Sequence, residues 1–289
     1  MATTGSVIYG ADYNAVVTKI QQVLGTGSPY GPGTGSPQYG YNQSLTSSTV
    51  NPGAVITAAQ WNNLQTDINK CYLHQNNSSY AFTTITAGSQ LNGPTLDLIN
   101  TVMNGCLTNA TVAATGQLTQ TTAITNTYAS TWGGGGDHGI TTTASATFAS
   151  QAVLQYFFNQ GGKFRFQGYG PTTPSGTQDT NWQTALSAFS YTIDRTEFAA
   201  LTTTPAQRFY SAGQPSPYNT NYIQVLASHN GSGVLNFTVK YEDAHAAAGV
   251  GPDSVSAGVG FYLYQTVASG AFTGYSPSST SGAVAWTVV

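Results

Sequence analysis

The sequence predicts an α+β protein: a small N-terminal helical segment followed by a mainly antiparallel β-sandwich with short helical insertions. Two observations predict this class. Apolar residues recur at helical spacing in the first 107 residues, and many short runs after residue 133 alternate apolar and polar residues between turns rich in Gly, Ser and Pro. The predicted domains are a helical attachment or oligomerisation domain over 1–107, an extended Thr-rich connector over 108–132 and a β-sandwich domain over 133–289.

Three helices are expected in the N-terminal segment. The first runs from Ala11 to Leu24, because apolar residues fall three and four apart and Gly25 follows. The second starts at Thr57, with Gln60 completing a capping box, and reaches about His74. The His74 ring is expected to interact favourably with the negative end of the helix dipole. The third helical pattern lies around Leu96, Ile99, Met103 and Leu107.

Seven strands and two short helices are expected in the second half. The strands are Ile140–Ser150, Lys163–Gln167, Tyr191–Arg195, Tyr222–Ala227, Val234–Tyr241, Val259–Val267 and Ala283–Val288. The helical insertions are Gln151–Asn159 and Asn181–Phe189. The Thr- and Ala-rich stretch over 108–130 is either a strand or an extended linker, and we place the domain boundary there.

The low charge of the chain excludes several function classes. Charged residues make up 6% of the sequence, with 7 Lys and Arg in total and a net charge of -3. An average domain has about 25% charged residues. We expect no nucleic-acid binding, because seven cations spread over the chain cannot neutralise a row of phosphates. No apolar run and no leader-like start is visible, so we also expect no membrane partner.

Motifs of the common enzyme and metal-site classes are missing from the sequence, so we expect no catalytic residues, no cofactor and no metal site. Gly133–Gly136 is interpreted as a structural turn, since neither a helix nor a Lys follows to hold an anion. Glu242, Asp243 and His245 are interpreted as a solvated loop, because they supply too few oxygen donors for Ca²⁺. Cys71 and Cys106 are expected to be buried thiols.

Tyrosines in Gly/Pro-rich loops are candidate contact residues. Tyr30, Tyr39, Tyr169 and Tyr218 have the composition of a sugar-stacking surface, and interface anchors have the same composition. The sequence leaves both uses open.

Several long motifs resemble virion structural proteins of tailed phages that infect cyanobacteria and related marine bacteria. The motifs are Ile56–Lys70 followed by His74-Gln75, Ser130–Gly136, and Gln155–Phe166, with Tyr9–Asn14 and Asn181-Trp182 as shorter matches. The resemblance covers most of the chain. It implies a particle component of the tail, neck or fibre, and it assigns no catalytic residues.

These observations together predict a non-enzymatic virion protein, located in the particle after assembly in the host cytoplasm. Its expected partners are copies of itself and other virion proteins, with a host surface glycan as a further candidate. The predicted assembly interface lies on the N-terminal helices, at Val16, Ile20, Trp61, Leu64 and Ile68. A capsid decoration (cement) protein and a glycan-binding host-adhesion module are the alternatives.

Overall fold

The protein is described by a computed structural model that covers residues 8–26, 40–89, 91, 93–134, 139–212, 214–247, 254–272, 274–281 and 287–288. These residues form an α+β fold with helices near the N-terminus and two antiparallel sheets, as predicted. The chain divides into two compact units. The helical unit comprises 1–119, 155–161 and 267–275, and the sandwich unit comprises 120–154, 162–266 and 276–289.

Three α-helices build the helical unit in the part of it that the structure describes, and all three were predicted. They are α1 (Gly10–Val23), α2 (Ala58–Asn76) and α3 (Gly93–Thr108), followed by a short 3-10 turn at Thr115–Gln117. The Thr57 hydroxyl accepts a hydrogen bond from the Gln60 N–H at 3.2 Å, and the Gln60 side chain accepts one from the Thr57 N–H at 2.8 Å. This capping box fixes the start of α2, since both atoms otherwise lack helical partners.

Asparagine side chains hold the extended segments of the helical unit against its helices. Asn14 of α1 donates to the Val50 carbonyl and accepts from the Val50 N–H, each at 2.9 Å. On α2, Asn62 makes the same two bonds to Ile85, and Asn69 makes them to Tyr80. Each amide therefore satisfies one N–H and one C=O of backbone that is not part of a sheet.

Two later segments complete the helical unit. Residues 155–161 bring Gln160, whose side chain donates to the Tyr41 carbonyl at 2.6 Å and whose own carbonyl faces His74 Nε2 at 3.2 Å. Residues 267–275 bring Phe272, whose ring centroid lies 4.4 Å from that of His74 and 5.3 Å from that of Tyr41. The core of this unit is thus finished by residues far away in the sequence.

Within the described residues, ten strands form the two sheets. The four-stranded sheet has the order β1-β8-β3-β4 and contains β1 (Leu118–Tyr128), β3 (Lys163–Tyr169), β4 (Ser190–Ile193) and β8 (Val259–Ala268). The second has the order β10-β2-β7-β6-β5, with β9 also paired to β2, and contains β2 (Gly139–Thr147), β5 (Ala206–Ala212), β6 (Tyr222–His229), β7 (Val234–Glu242), β9 (Ser279–Ser281) and β10 (Thr287–Val288). Four helices of the described chain accompany them: α4 (Gln151–Asn159), α5 (Thr177–Ala188), α6 (Arg195–Ala199) and α7 (Ala244–Ala247).

The two sheets pack face to face through aromatic side chains. Phe164 and Phe166 of β3 contact Phe237 of β7, with ring centroids 5.6 Å and 5.1 Å apart. All three side chains are buried. They occupy the inward positions of β3 and β7, in which buried and more exposed residues alternate. The predicted alternation in these strands is confirmed, and it places polar side chains on the outer faces.

Three sequence predictions require correction. The segment predicted as a connector over 108–132 contains β1, an edge strand of the four-stranded sheet. The predicted strand Tyr191–Arg195 ends at Ile193, and Asp194 caps α6 by accepting from the Thr196 and Glu197 N–H groups. The predicted domain limits fail because the helical unit takes residues from three parts of the chain.

Among the described residues, no helix has the length and apolar character that a membrane span requires.

Candidate functional site: the outward surfaces of the two units

The residues predicted as an assembly interface lie inside the helical unit. Their exposed fractions are at most 1%, and they pack together in the core of that unit: Val16, Ile20, Trp61, Leu64 and Ile68. The prediction of an outward face was wrong for a physical reason. A three-helix unit must bury one apolar stripe per helix in its own core, so those stripes are not available to a partner.

A different set of apolar side chains borders an open groove of the helical unit. Val55 is 86% exposed and lies on a groove of about 300 Å³ that is also lined by Ile8, Ala54, Ile56, Trp61 and Leu91. Tyr9, next to this groove in the sequence, is 67% exposed. We call these residues the Val55 groove. Isolated exposed apolar residues are common on monomers, but an adjoining set of them is typical of a contact site.

Local hydrogen bonds fix the chain that carries Val55. Asn14 anchors Val50, and the Ala54 N–H donates to the Asn51 carbonyl at 3.1 Å to close a turn. The capping box at Thr57 then begins α2 two residues after Val55. Val55 is therefore held outward by its neighbours on both sides, and Trp61 of α2 contributes to the lining of the groove.

The outer face of the sheet built on β2, β6 and β7 is polar and almost uncharged. Besides the apolar Leu226 and Val234, it carries mostly hydroxyl and amide side chains: Thr141, Thr143, Ser145, Thr147, Gln224, Asn236 and Thr238. Across these three strands, Lys240 and Glu242 are the only Lys, Arg, Asp or Glu residues. They form an ion pair with an N–O distance of 2.9 Å, so the face has no net charge.

Aromatic contacts surround that ion pair. Lys240 Nζ lies 5.7 Å from the centre of the Tyr222 ring, and Tyr222 lies 5.0 Å from Tyr210 on β5. Burial alone would lower the pKa of Lys240, but the hydrogen bond to Glu242 and the contact with Tyr222 outweigh it and raise the pKa. Lys240 therefore stays charged near neutral pH.

Tyrosines also line the outer face of the other sheet. Tyr169 of β3 lies 4.8 Å from Tyr262 of β8, and Arg165 stacks at 4.4 Å over Tyr264. The Tyr169 hydroxyl donates to the Asn126 carbonyl at 2.9 Å. This contact lies directly above Gly260, where a Cβ atom would collide with the Tyr169 hydroxyl. Tyr169 therefore packs on a sheet rather than in an open loop.

The other predicted loop tyrosines have different outcomes. Tyr218 is buried, 5% exposed, and its ring packs edge-on against His245 at 4.9 Å, so it anchors its loop instead of presenting a contact surface. Tyr30 and Tyr39 lie outside the described residues.

Two carboxylates of the described chain, Asp67 and Asp179, make structural contacts. Asp67 accepts from the backbone and hydroxyl groups of Thr46 and Ser47, and Asp179 does the same with Ser175 and Ser256. Burial alone would raise the pKa of Asp179, but its four hydrogen bonds outweigh burial and lower the pKa. Both groups are therefore fixed as hydrogen-bond acceptors that tie segments together.

Glu197 and Asp243 also make structural contacts. Glu197 accepts from the Tyr191 hydroxyl at 2.7 Å and pairs with Arg208 at 2.7 Å, and these contacts hold the pKa of Glu197 below its usual value. Asp243, predicted in a solvated loop, is buried and accepts a hydrogen bond from Gln178. Within the described ranges, no three His, Cys, Asp or Glu side chains are grouped as metal ligands would be.

The sequence correctly predicted that Cys71 and Cys106 are buried free thiols, and burial raises the pKa of Cys106 to about 11. Of the predicted glycine turn, Gly133 has a positive φ of 83°, while residues 135–138 lie outside the described chain.

Comparisons of this chain with protein-family models, with curated proteins and with solved structures find no match.

Proposed function

We propose that this protein is a non-enzymatic structural subunit of a phage virion, a tail, neck or fibre component that assembles symmetrically with copies of itself. The observation that carries the proposal is the outer face of β2, β6 and β7, which has no net charge, together with the 6% charge content of the chain. The sequence resemblance to virion proteins of tailed phages supports the particle as the location.

A face without net charge is suited to a symmetric contact between two copies of the chain. In a two-fold contact the same patch meets its own copy, so an unpaired charge would approach a like charge. Hydroxyl and amide groups can pair with their own kind, and burying them costs far less than burying an ion. The Lys240–Glu242 pair adds no net charge to the patch. This surface is therefore suited to a second copy of the chain.

Attachment to another virion protein is assigned to the Val55 groove. The helical faces that the sequence predicted for attachment are buried, so the groove takes their place. The attachment function stays in the helical unit. An apolar side chain of the neighbour would cover Val55 and Tyr9, whose present exposure is unfavourable in water.

Immunogold labelling of purified virions tests the location. We expect label at the tail, neck or fibre. Label spread over the head would make the protein a capsid decoration protein, and intact particles without label at any position would contradict the virion assignment.

Substitution of Thr143, an exposed residue of the outer face of β2, β6 and β7, tests self-assembly. Thr143→Lys puts two ammonium groups close together in a symmetric contact, and we expect the dissociation constant of the oligomer to rise at least about tenfold. The measurement is sedimentation velocity over a concentration series. Thr121→Lys, the same change at an exposed position of β1, is the matched control and should leave the oligomer intact. Equal effects of both variants would contradict this interface.

The Val55 groove is tested by Val55→Asp, which places a charge on the apolar surface without touching the core. We expect loss of incorporation into particles, measured by immunoblotting of purified virions after complementation. Val112→Asp, at another exposed valine of the helical unit, should incorporate normally. Normal incorporation of Val55→Asp would remove the groove from the proposal.

A further inference from the structure

A cavity in the sandwich unit has buried polar atoms without partners. It lies between α5, β5, the start of β6 and the connection over 214–221, and its volume is about 230 Å³. Residues from all four elements line it, and none of the lining residues carries a charge. The volume corresponds to about eight water molecules at ~30 Å³ each, which suits one small ring rather than a drug-sized ligand.

Three amide groups line this cavity, and each has a polar atom with no hydrogen-bond partner among the described residues. These atoms are Asn181 Nδ2, Gln214 Oε1 and Asn221 Nδ2. Gln214 is 8% exposed and Asn221 is fully buried. Leaving such atoms unpaired costs about 1–3 kcal/mol each, so a ligand that pairs with them would remove this cost.

The orientation of Asn221 follows from its other contact. Asn221 Oδ1 accepts a hydrogen bond from the His245 N–H at 3.0 Å, which identifies its oxygen and leaves Nδ2 as the free donor. Tyr218, packed on His245, and the bond from the Asn221 N–H to the Tyr218 carbonyl at 3.1 Å hold this connection in place. The cavity is therefore preorganised.

The walls supply an apolar aromatic surface. Phe189 and Phe209 both line the cavity, with ring centroids 5.0 Å apart, and Tyr222 lines the side formed by β6. Exposed Thr184 and Ser211 add hydroxyl groups where the cavity meets solvent.

We propose that this cavity binds one neutral sugar ring, free or as the terminal unit of a glycan. Sugar hydroxyls both donate and accept, so one ring can satisfy two amide donors and one amide acceptor at once. The apolar C–H groups on one face of the sugar ring would pack against the aromatic ring of Phe209. Charged ligands are disfavoured because the lining offers no counter-ion. This inference is independent of the proposed assembly surfaces.

The test uses the full chain and the methyl glycosides of glucose, galactose, mannose and N-acetylglucosamine, with glucuronate as the charged control. Saturation-transfer NMR and calorimetric titration should detect at least one neutral glycoside with a dissociation constant on the order of 1 mM, as expected for about a dozen ligand atoms. Glucuronate should not compete.

Two variants locate the binding site. Ala185→Leu fills the cavity from α5, and Gln214→Met removes an amide while keeping the side-chain length. Each should weaken binding at least tenfold, while Ser187→Leu, an exposed position of α5 outside the lining, should bind as the parent does. Gln214→Met should also melt no lower than the parent, because it removes a buried acceptor that has no partner.

Binding of none of the glycosides would overturn the proposal and leave a water-filled cavity. Binding that survives both Ala185→Leu and Gln214→Met would also overturn it, since the sugar would then occupy another surface, such as the tyrosines of β3 and β8.

Discussion

Burial gives His74 a different protonation state from the one that its position in the sequence predicts. Its position near the end of α2 predicted a charged ring at the negative end of the helix dipole. The ring is instead fully buried between Tyr41 and Phe272. Burial lowers the pKa of His74 to about 4, although the hydrogen bond to the Gln160 carbonyl acts in the opposite direction. His74 is therefore neutral at neutral pH.

The lowered pKa predicts a loss of stability in acid. The unfolded chain binds a proton at His74 with a pKa of about 6.5 and the folded chain at about 4, so the free energy of unfolding falls as pH drops through this window. The expected loss from this residue between pH 7 and pH 5 is about 2 kcal/mol, measured by urea unfolding at both pH values. His74→Gln keeps a donor for the Gln160 carbonyl and should lose this part of the pH dependence; an unchanged slope would contradict the assignment.

A second prediction concerns Asp179, which joins the segment before α5 to the segment at Ser256. Asp179→Asn replaces one acceptor oxygen by a donor that faces the Ser175 and Ser256 donors. We expect a loss of about 2–3 kcal/mol in the free energy of unfolding, measured in urea at neutral pH. Asp97→Asn, on the surface of α3, should change it by less than about 0.5 kcal/mol. A similar loss in both variants would show that the four bonds to Asp179 are not the cause.

The elements of the helical unit are joined by side chains that act as substitutes for a neighbouring strand. Asn14, Asn62 and Asn69 each pair with both polar groups of one backbone residue. The spacing of Asn62 and Asn69, seven residues apart on α2, places both amides on one side of the helix, where they bind the extended chain at Ile85 and Tyr80. Extended backbone thus gains sheet-like hydrogen bonds from a helix.

Asn69→Asp tests this arrangement. The carboxylate still accepts from the Tyr80 N–H, but it cannot donate to the Tyr80 carbonyl and repels it. We expect the free energy of unfolding to fall by about 2 kcal/mol and the amide hydrogen of Tyr80 and its neighbours to exchange faster. Asn104→Asp, the same change at an exposed site of α3, is the control. Unaltered exchange around Tyr80 would mean that the amide contact does not hold this segment.

Patterns carried by several residues could be predicted from the sequence, and single contacts could not. The capping box at Thr57 and the alternation around Phe164 involve repeated, position-specific signals, and both are confirmed. Strand β5 was missed because most of its residues are exposed, so it shows no alternation. Asp194 was misplaced because α6 has only five residues, too few for a helical period to appear.

The candidate surfaces show the same division. The five assembly residues were correctly recognised as one apolar set, but periodicity does not say whether a stripe meets the chain's own core or a partner. Val55, Gln214 and Asn221 carry no sequence signal at all. Their importance comes from exposure or from unpaired atoms, which only the fold determines.

At the scale of the whole molecule, the two units have separate hydrophobic cores. Trp61 is the largest buried side chain of the helical core, and Trp182 has the same place in the sandwich unit, where it packs on Trp132 and Tyr241. Each core should therefore respond to its own substitution.

Hydrogen exchange of two variants measures this separation. Trp61→Ala should destabilise by about 3–5 kcal/mol and raise exchange first in α1, α2 and α3. Trp182→Ala should raise it first in α5 and β7. Loss of virion incorporation in Trp61→Ala would then reflect a damaged helical unit, whereas Val55→Asp would lose incorporation with normal exchange. Identical exchange profiles in the two tryptophan variants would contradict separate cores.

The contribution of Phe272 to the helical unit has a consequence for synthesis on the ribosome. Helices α1 to α3 emerge first, yet Phe272, whose ring covers His74 and Tyr41, is translated only after β1 to β8, which are eight of the ten described strands. The first part of the chain to be made is therefore among the last to be finished. Until Phe272 and the segment ending at Tyr275 leave the exit tunnel, the nascent helices keep an uncovered apolar surface, which is where we expect a chaperone to bind.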